Sequence, residues 1–385
     1  SPVDDSTAVT NRGCWTQRTH LSPTHIDAAR ALFGISGWAA DYSLRTTPVY
    51  PSSMRGAMHK SRALVPDALK HEVPLWRFEP LSISALTARG APCPPEPIVD
   101  LRLSSQTSVQ GRTTGLHIKT REPARCEVKL AGEISRCYRA GETDLYAWIG
   151  ASALLEPGVY PLVVSVSTPE RVASFDLDLA LESGHYGFQF IDPPSSLSQL
   201  LDPALMEAEL AYLDAWRRVR TPHRMWSLPL RAPLDDPLRI SAAYGDRRSY
   251  GGTFKGYHSG VDYRAVTGTP TRAPADGRVA MTERLEARGN AILVDHGWGL
   301  MTGYWHLSRI NVEVGERVAR GQVLGRVGNT GLSTGAHLHW EVWVNGVSVD
   351  GTQWLDRKGL PSDFFDLSEP GSGSGLSGPK EPAAN

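Results

Sequence analysis

Gly335-Ala336-His337-Leu338-His339-Trp340-Glu341-Val342-Trp343-Val344 alternates polar or aromatic residues with apolar ones over its whole length. Successive side chains in a strand point to opposite faces, so His337, His339, Glu341 and Trp343 share one side. Leu338, Trp340, Val342 and Val344 share the other. The stretch therefore reads as a strand that buries an apolar face and projects two imidazoles from the opposite one.

Upstream lie two further stretches with the same chemical vocabulary, Tyr257-His258-Ser259-Gly260-Val261-Asp262-Tyr263 and Tyr304-Trp305-His306-Leu307-Ser308. His258 and Asp262 are four apart, a spacing that would align them on a helix. The intervening Ser-Gly-Val is a poor helix former, so they are expected on a loop leading into a strand. Four histidines and one aspartate are the residue types of a hydrolytic zinc site. Such a zinc takes three protein ligands and keeps a fourth position for water, and this set offers more than three.

The combination of His-x-x-x-Asp, Tyr-x-His-Leu-Ser and His-Leu-His resembles the LytM/lysostaphin-type metallopeptidases, the M23 family. The likeness continues through Ala273-Pro274-Ala275-Asp276-Gly277, Asp295-His296-Gly297 and Gly321-Gln322-Val323-Leu324-Gly325, and covers residues 226–356. It implies that His258, Asp262 and His339 hold a zinc ion while His306 and His337 stay off the metal. No His-Glu-x-x-His supplies a glutamate base. A free imidazole can take a water's proton and return it to a leaving amine, which makes His306 or His337 the candidate base. Tyr257 and Tyr304 lie beside these motifs and read either as helpers or as packing. His296 reads as structural, and His20, His59, His117 and His185 carry no ligand spacing.

The fold expected is mainly β and multidomain. Short apolar runs such as Ala291-Ile292-Leu293-Val294, punctuated by Gly, Pro and Asp, suggest closely spaced strands joined by turns. The resemblance implies a small antiparallel sheet with the metal at the floor of a groove. Residues 95–183 hold alternating runs around Val99–Leu103, Gly115–Lys119, Cys126–Leu130, Tyr160–Val166 and Val172–Leu179, spaced as in an immunoglobulin-like β-sandwich. Residues 184–225 read as a helical linker. Asp202-Pro203 supplies a cap and a first-turn proline, and Leu205, Met206, Leu210, Leu213 and Trp216 form an apolar stripe suited to docking one domain on another. Residues 1–94 form a domain of uncertain fold, with a faint likeness to a LysM wall-binding module near Val49-Tyr50-Pro51. Residues 366–385 read as a flexible tail.

At 385 residues the chain is long enough for two or three domains. Its 40 basic and 41 acidic residues nearly cancel, so bulk charge favours neither a nucleic-acid nor an anionic-membrane partner. No apolar run of about 18 residues suggests a transmembrane segment. Cys14, Cys93, Cys126 and Cys137 all precede the histidine-bearing region. Cys126 with Cys137 could close a hairpin around Leu130-Ala131-Gly132, leaving Cys14 with Cys93; four free thiols are the alternative. The beginning at Ser1 suggests a removed export signal or a start inside a precursor. The M23 resemblance implies an extracytoplasmic zinc endopeptidase with peptidoglycan as its partner. Two other outcomes fit the same residues: a non-catalytic regulator of wall hydrolases, or a latent peptidase covered by its first 225 residues.

Overall fold

The computed structural model describes residues 98–235, 238–250 and 253–356. The expected N-terminal unit with its LysM likeness, Cys14, Cys93 and the expected tail lie outside the described residues.

The centre of the histidine-bearing region is an antiparallel sheet. Its strands run in the order Ile240–Ala242, Val261–Arg264, His337–Val344, Leu300–Leu307, Gly289–Gly297, Gly277–Leu285 and Arg317–Val318, with Val347–Val349 also paired to His337–Val344. The His337–Val344 strand sits between the strands carrying Asp262 and leading to His306. Asp262 lies opposite His339 on one side, and Trp305 lies opposite His339 on the other. Alternation along these strands divides the apolar residues between two cores. Tyr304, Leu338, Trp340 and Val342 enter the larger core. Met301, Trp305 and Trp343 enter a smaller one, together with Leu213 and Trp216. His339 and Glu341 share the face of Trp343, so the polar site and the smaller core occupy the same side of the sheet.

Residues 98–182 form two facing sheets. Four strands are ordered Ile98–Leu103, Thr113–Thr120, Asp144–Gly150 and Tyr138–Arg139; five are ordered Thr107–Val109, Val172–Glu182, Gly158–Ser167, Arg125–Leu130 and Glu133–Arg136. Leu116, Ile118 and Ile149 from the first sheet meet Val128, Leu162, Val164 and Phe175 from the second in one buried core. The Arg125–Leu130 and Glu133–Arg136 strands form the expected hairpin, turning through Ala131 and Gly132 at positive φ. A disulfide joins Cys126 to Cys137 with Cα atoms 5.2 Å apart.

The strand Asp144–Gly150 was not anticipated because it lacks a polar face. Leu145, Ala147 and Ile149 face the sandwich, whereas Tyr146 and Trp148 enter the larger core of the adjoining sheet. Trp148 makes edge contacts with Trp226 and Trp354, with ring centroids 5.6 and 6.4 Å away. Asn345 accepts from Tyr138 Oη at 2.9 Å and donates to the Trp148 carbonyl at 2.8 Å. Gln353 brackets the backbone of Thr113 with one accepted and one donated bond. A strand buried on both faces reads as a continuous apolar run, which erases the two-residue period.

The segment 184–225 is more varied than a helical linker. Phe188–Ile191 is a strand paired in parallel with Arg247–Tyr250, and the helix Pro203–Arg217 follows a short 3₁₀ turn. Asp202 caps the helix by accepting from the Ala204 N–H at 3.0 Å, and Pro203 occupies the first turn where a missing N–H costs nothing. The buried face differs from the expected stripe. Leu213 and Trp216 are buried, but Leu210 is 43% exposed and Glu209 takes a buried position on that face.

Candidate active site

His258 lies just past the Thr253–Tyr257 strand, and Asp262 is in the next strand, Val261–Arg264. The backbone turns between them at Gly260, where an added Cβ would stand 2.5 Å from the Trp340 carbonyl oxygen and 2.7 Å from His339 Nε2. Only glycine lets the chain pass so close to the central strand.

Three donor atoms converge there. His258 Nε2 is 2.9 Å from Asp262 Oδ1 and 2.9 Å from His339 Nδ1, and His339 Nδ1 is 2.7 Å from Asp262 Oδ1. The ligand atoms of this buried group all lie within 4.8 Å of one another. The remaining ring nitrogens have partners of their own. His258 Nδ1 donates to the Ala243 carbonyl at 2.6 Å, and His339 Nε2 donates to Glu341 Oε1 at 3.1 Å. Each bond fixes the tautomer that leaves the other nitrogen's lone pair facing the cluster.

The electrostatics agree with that arrangement. Burial pushes His258 down to about 4 despite the neighbouring Asp262, so its ring is neutral and able to act as a ligand. Burial would raise Asp262, but the charge of His339 and the bonds from both histidines hold it well below the usual carboxylate range. Burial opposes charge on His339, yet Asp262 and Glu341 outweigh it and raise its affinity for a proton. The carboxylates beside His339 thus favour a cation held among the three donor atoms. Two imidazoles and a carboxylate, buried and pre-oriented, are a donor set that fits a metal ion.

His306 and His337 flank the cluster without joining it. Their rings are 5.0 Å apart, and His306 is 6.1 Å from the His339 ring. His306 Nδ1 donates to the Thr330 carbonyl at 2.7 Å, leaving Nε2 unprotonated. Burial, reinforced by His337 and His339, pushes His306 down to about 3. His337 Nδ1 donates to the Gly335 carbonyl at 2.8 Å, and its Nε2 lies 3.6 Å from Asp262 Oδ1. His306 has φ +60°, an uncommon value for a residue with a Cβ, which occurs where surrounding contacts impose it.

Both tyrosines are packed side chains. Tyr304 is fully buried in the larger core beside Thr302 and reads as packing. Tyr257 packs against Tyr244 with ring centroids 5.9 Å apart, and burial raises its phenol. His296 is fully buried between the Asp276 carbonyl and Thr302, as expected of a structural residue.

The motif region can be matched to a known family over residues 256–351. Those residues form a Peptidase family M23 domain. The chain is 42% identical over 121 residues to the peptidoglycan DD-endopeptidase ShyA of Vibrio cholerae, and 46% identical over 93 residues to the DD-carboxypeptidase/endopeptidase Mpg of Neisseria meningitidis. These segments are 31% and 24% of this chain, and they span 28% and 21% of those relatives. Among solved structures, a peptidase M23 from Pseudomonas aeruginosa is 28% identical with a TM-score of 0.49, covering 64% of this chain and 94% of that one. The lysostaphin catalytic domain of Staphylococcus simulans is 33% identical with a TM-score of 0.28, covering 31% of this chain and 92% of that one.

Several residues around the M23 site were not legible from its motifs. Arg248 donates to Asp262 Oδ2 at 3.0 Å and to Gln189 at 3.0 Å. Glu341 accepts from Ser259 Oγ at 2.7 Å and Trp343 Nε1 at 2.6 Å as well as from His339. Of these, Glu341 and Trp343 had a sequence signal, their positions two and four beyond His339 on one strand face; Arg248 and Gln189 had none.

Proposed function

We propose that this chain is a zinc endopeptidase that hydrolyses peptide bonds in peptidoglycan outside the cytoplasm. The observation that carries the reading is the meeting of His258 Nε2, Asp262 Oδ1 and His339 Nδ1, with His306 and His337 beside them. The relatives' DD-endopeptidase names support D,D-cross-links as the bonds cut. The two-sheet unit at 98–182 serves as an immunoglobulin-like module that spaces or orients the peptidase.

His258, Asp262 and His339 would hold the zinc. Bound there, the ion supplies a Lewis acid that polarises the scissile carbonyl and acidifies a water. The protein's own residues manage the proton. A water attacking the carbonyl carbon gives its proton to Nε2 of His306 or His337, each held open by the bond its Nδ1–H makes to a backbone carbonyl. Burial makes His306 reluctant to keep a positive charge, so a proton taken there passes on readily. It reaches the leaving amine as the C–N bond breaks, which restores the neutral imidazole. The same pair of rings can donate to the oxyanion once protonated.

The test is digestion of purified wall sacculi with wild-type chain and the His339→Ala variant, reading released amino groups and product masses. Zinc-dependent release of D,D-cross-linked dimers as monomers is expected. No release from sacculi of either cross-link chemistry, together with stimulation of a separate wall hydrolase, would replace this reading with the regulatory one.

A further inference from the structure

The helix Pro203–Arg217 lies outside residues 256–351, yet two of its charged side chains reach the structures that hold the site. Glu209 is 3% exposed. Its Oε1 accepts from the Ala287 N–H at 2.7 Å, and its Oε2 pairs with Arg288 at 3.2 Å. The turn at 287–288 is one hydrogen bond from His306, whose N–H donates to the Arg288 carbonyl at 2.9 Å. It is also bonded to the segment that fixes the His306 ring. Leu332 N–H donates to the Ala287 carbonyl at 2.7 Å, and the same segment supplies the Thr330 carbonyl that accepts from His306 Nδ1.

The second contact is at the end of the helix. Arg217 stacks over Trp343, with its guanidinium carbon 4.4 Å from the ring centroid, and its NH2 lies 3.9 Å from Glu341 Oε2. Glu341 is the acceptor for His339 Nε2–H. Leu213 and Trp216 set the position of both charges by packing against Met281, Leu293, Trp305 and Trp343 on the sheet. A helix needed only to cover apolar surface would have no use for a carboxylate on its buried face, since such a group costs free energy unless paired.

We propose that the Pro203–Arg217 helix is a positioning element of the active site, in which Glu209 fixes His306 through the 287–288 turn and Arg217 fixes His339 through Glu341. The inference rests on the reading of His306 as a proton carrier and His339 as a ligand. His306 is the residue most dependent on such an anchor, because its positive φ is sustained only while its surroundings hold it. Arg217 supplies the nearby cation that keeps the Glu341 carboxylate directed at both Trp343 and His339.

The experiment uses the full chain carrying Glu209→Ala, Glu209→Gln, Arg217→Ala or Arg217→Lys. Glu209→Ala is expected to raise amide exchange at His306 and to lower kcat by about tenfold or more, with KM and zinc affinity unchanged. Glu209→Gln keeps an acceptor for the Ala287 N–H and should recover most of both readouts. If the alanine variant does not fold, Glu209→Asp, which shortens the reach by one methylene, should give the same exchange change. Arg217→Ala is expected to weaken zinc affinity about tenfold or more in chelator competition, with partial rescue by Arg217→Lys. Lower melting temperatures with unchanged His306 exchange and unchanged zinc affinity would overturn the proposal, leaving the helix as packing. Loss of His306 protection in a chain that cuts no wall peptide would instead sink the substrate reading and leave this one standing.

Discussion

Replacing Glu341 by Gln changes two atoms' chemistry at the centre of the site and almost nothing of its shape. The carboxylate is 1% exposed and every neighbour it meets is a donor. Oε1 takes His339 Nε2–H and the Ser259 hydroxyl; Oε2 takes the Trp343 indole N–H and faces Arg217. An amide can accept through only one end. With its NH2 toward Trp343, two N–H groups confront each other; with the amide flipped, the NH2 confronts His339. One buried donor is left unsatisfied in either pose, at about 1–3 kcal/mol, and charge-assisted bonds worth about 1.5–3 kcal/mol each are weakened. Arg217 also loses its buried counter-charge. A destabilisation of about 3–5 kcal/mol is expected, in the range found when one member of a buried pair is removed.

The consequence for the metal follows from the tautomer. Glu341 holds the proton of His339 on Nε2 and so keeps the Nδ1 lone pair toward His258 and Asp262. Loosening that bond should weaken zinc affinity about 10–100-fold, as for other partners of metal-ligating histidines. Chelator competition on the folded variant, with chemical denaturation in parallel, separates the two effects. A Gln variant that unfolds earlier but binds zinc as tightly as wild type would refute the orienting role. Wild-type stability would refute the count of donors.

His339→Ala or Asp262→Ala should abolish stoichiometric zinc and hydrolysis together, read by elemental analysis beside the sacculus assay; retained zinc would reject the ligand set. His306→Ala and His337→Ala should keep zinc and lose about 10²–10⁴-fold in rate, the worth of acid–base help; loss of metal from either would move that residue into the ligand set. Cys126→Ser with Cys137→Ser should cost about 3 kcal/mol in denaturant unfolding, the chain-entropy value for so short a loop. Titration of the unreduced, denatured wild type should find no more than two thiols.

The legible parts of this protein are those with a local signature. A two-residue period identifies the His337–Val344 strand and the sandwich strands Ile98–Leu103, Thr113–Thr120, Arg125–Leu130, Gly158–Ser167 and Val172–Glu182, because each alternates polar with apolar side chains. The Asp144–Gly150 strand lacked that signature because Tyr146 and Trp148 serve the peptidase core while Leu145 and Ile149 serve the sandwich. The same joint use makes the contact between the two sheet units a packed aromatic seam of Tyr146, Trp148, Trp226, Trp298 and Trp354.

Glu209 and Arg217 were illegible for a different reason. On a helical wheel a charged residue beside Leu210 and Leu213 is most simply placed toward solvent, so the apolar stripe read from the sequence leaves it out. What turns Glu209 inward is a pair of donors 78 and 79 residues away, Ala287 N–H and the Arg288 guanidinium. No spacing within the helix encodes them. If the helix were only a spacer, an apolar residue of similar size at 209 would fill the same buried position and avoid the burial of a charge. The carboxylate persists at a cost in stability, and what it obtains is a fixed turn one bond from His306. That exchange is expected of a residue retained for the geometry of a site, and it is why the informative measurement on this helix is exchange at His306 and not melting temperature.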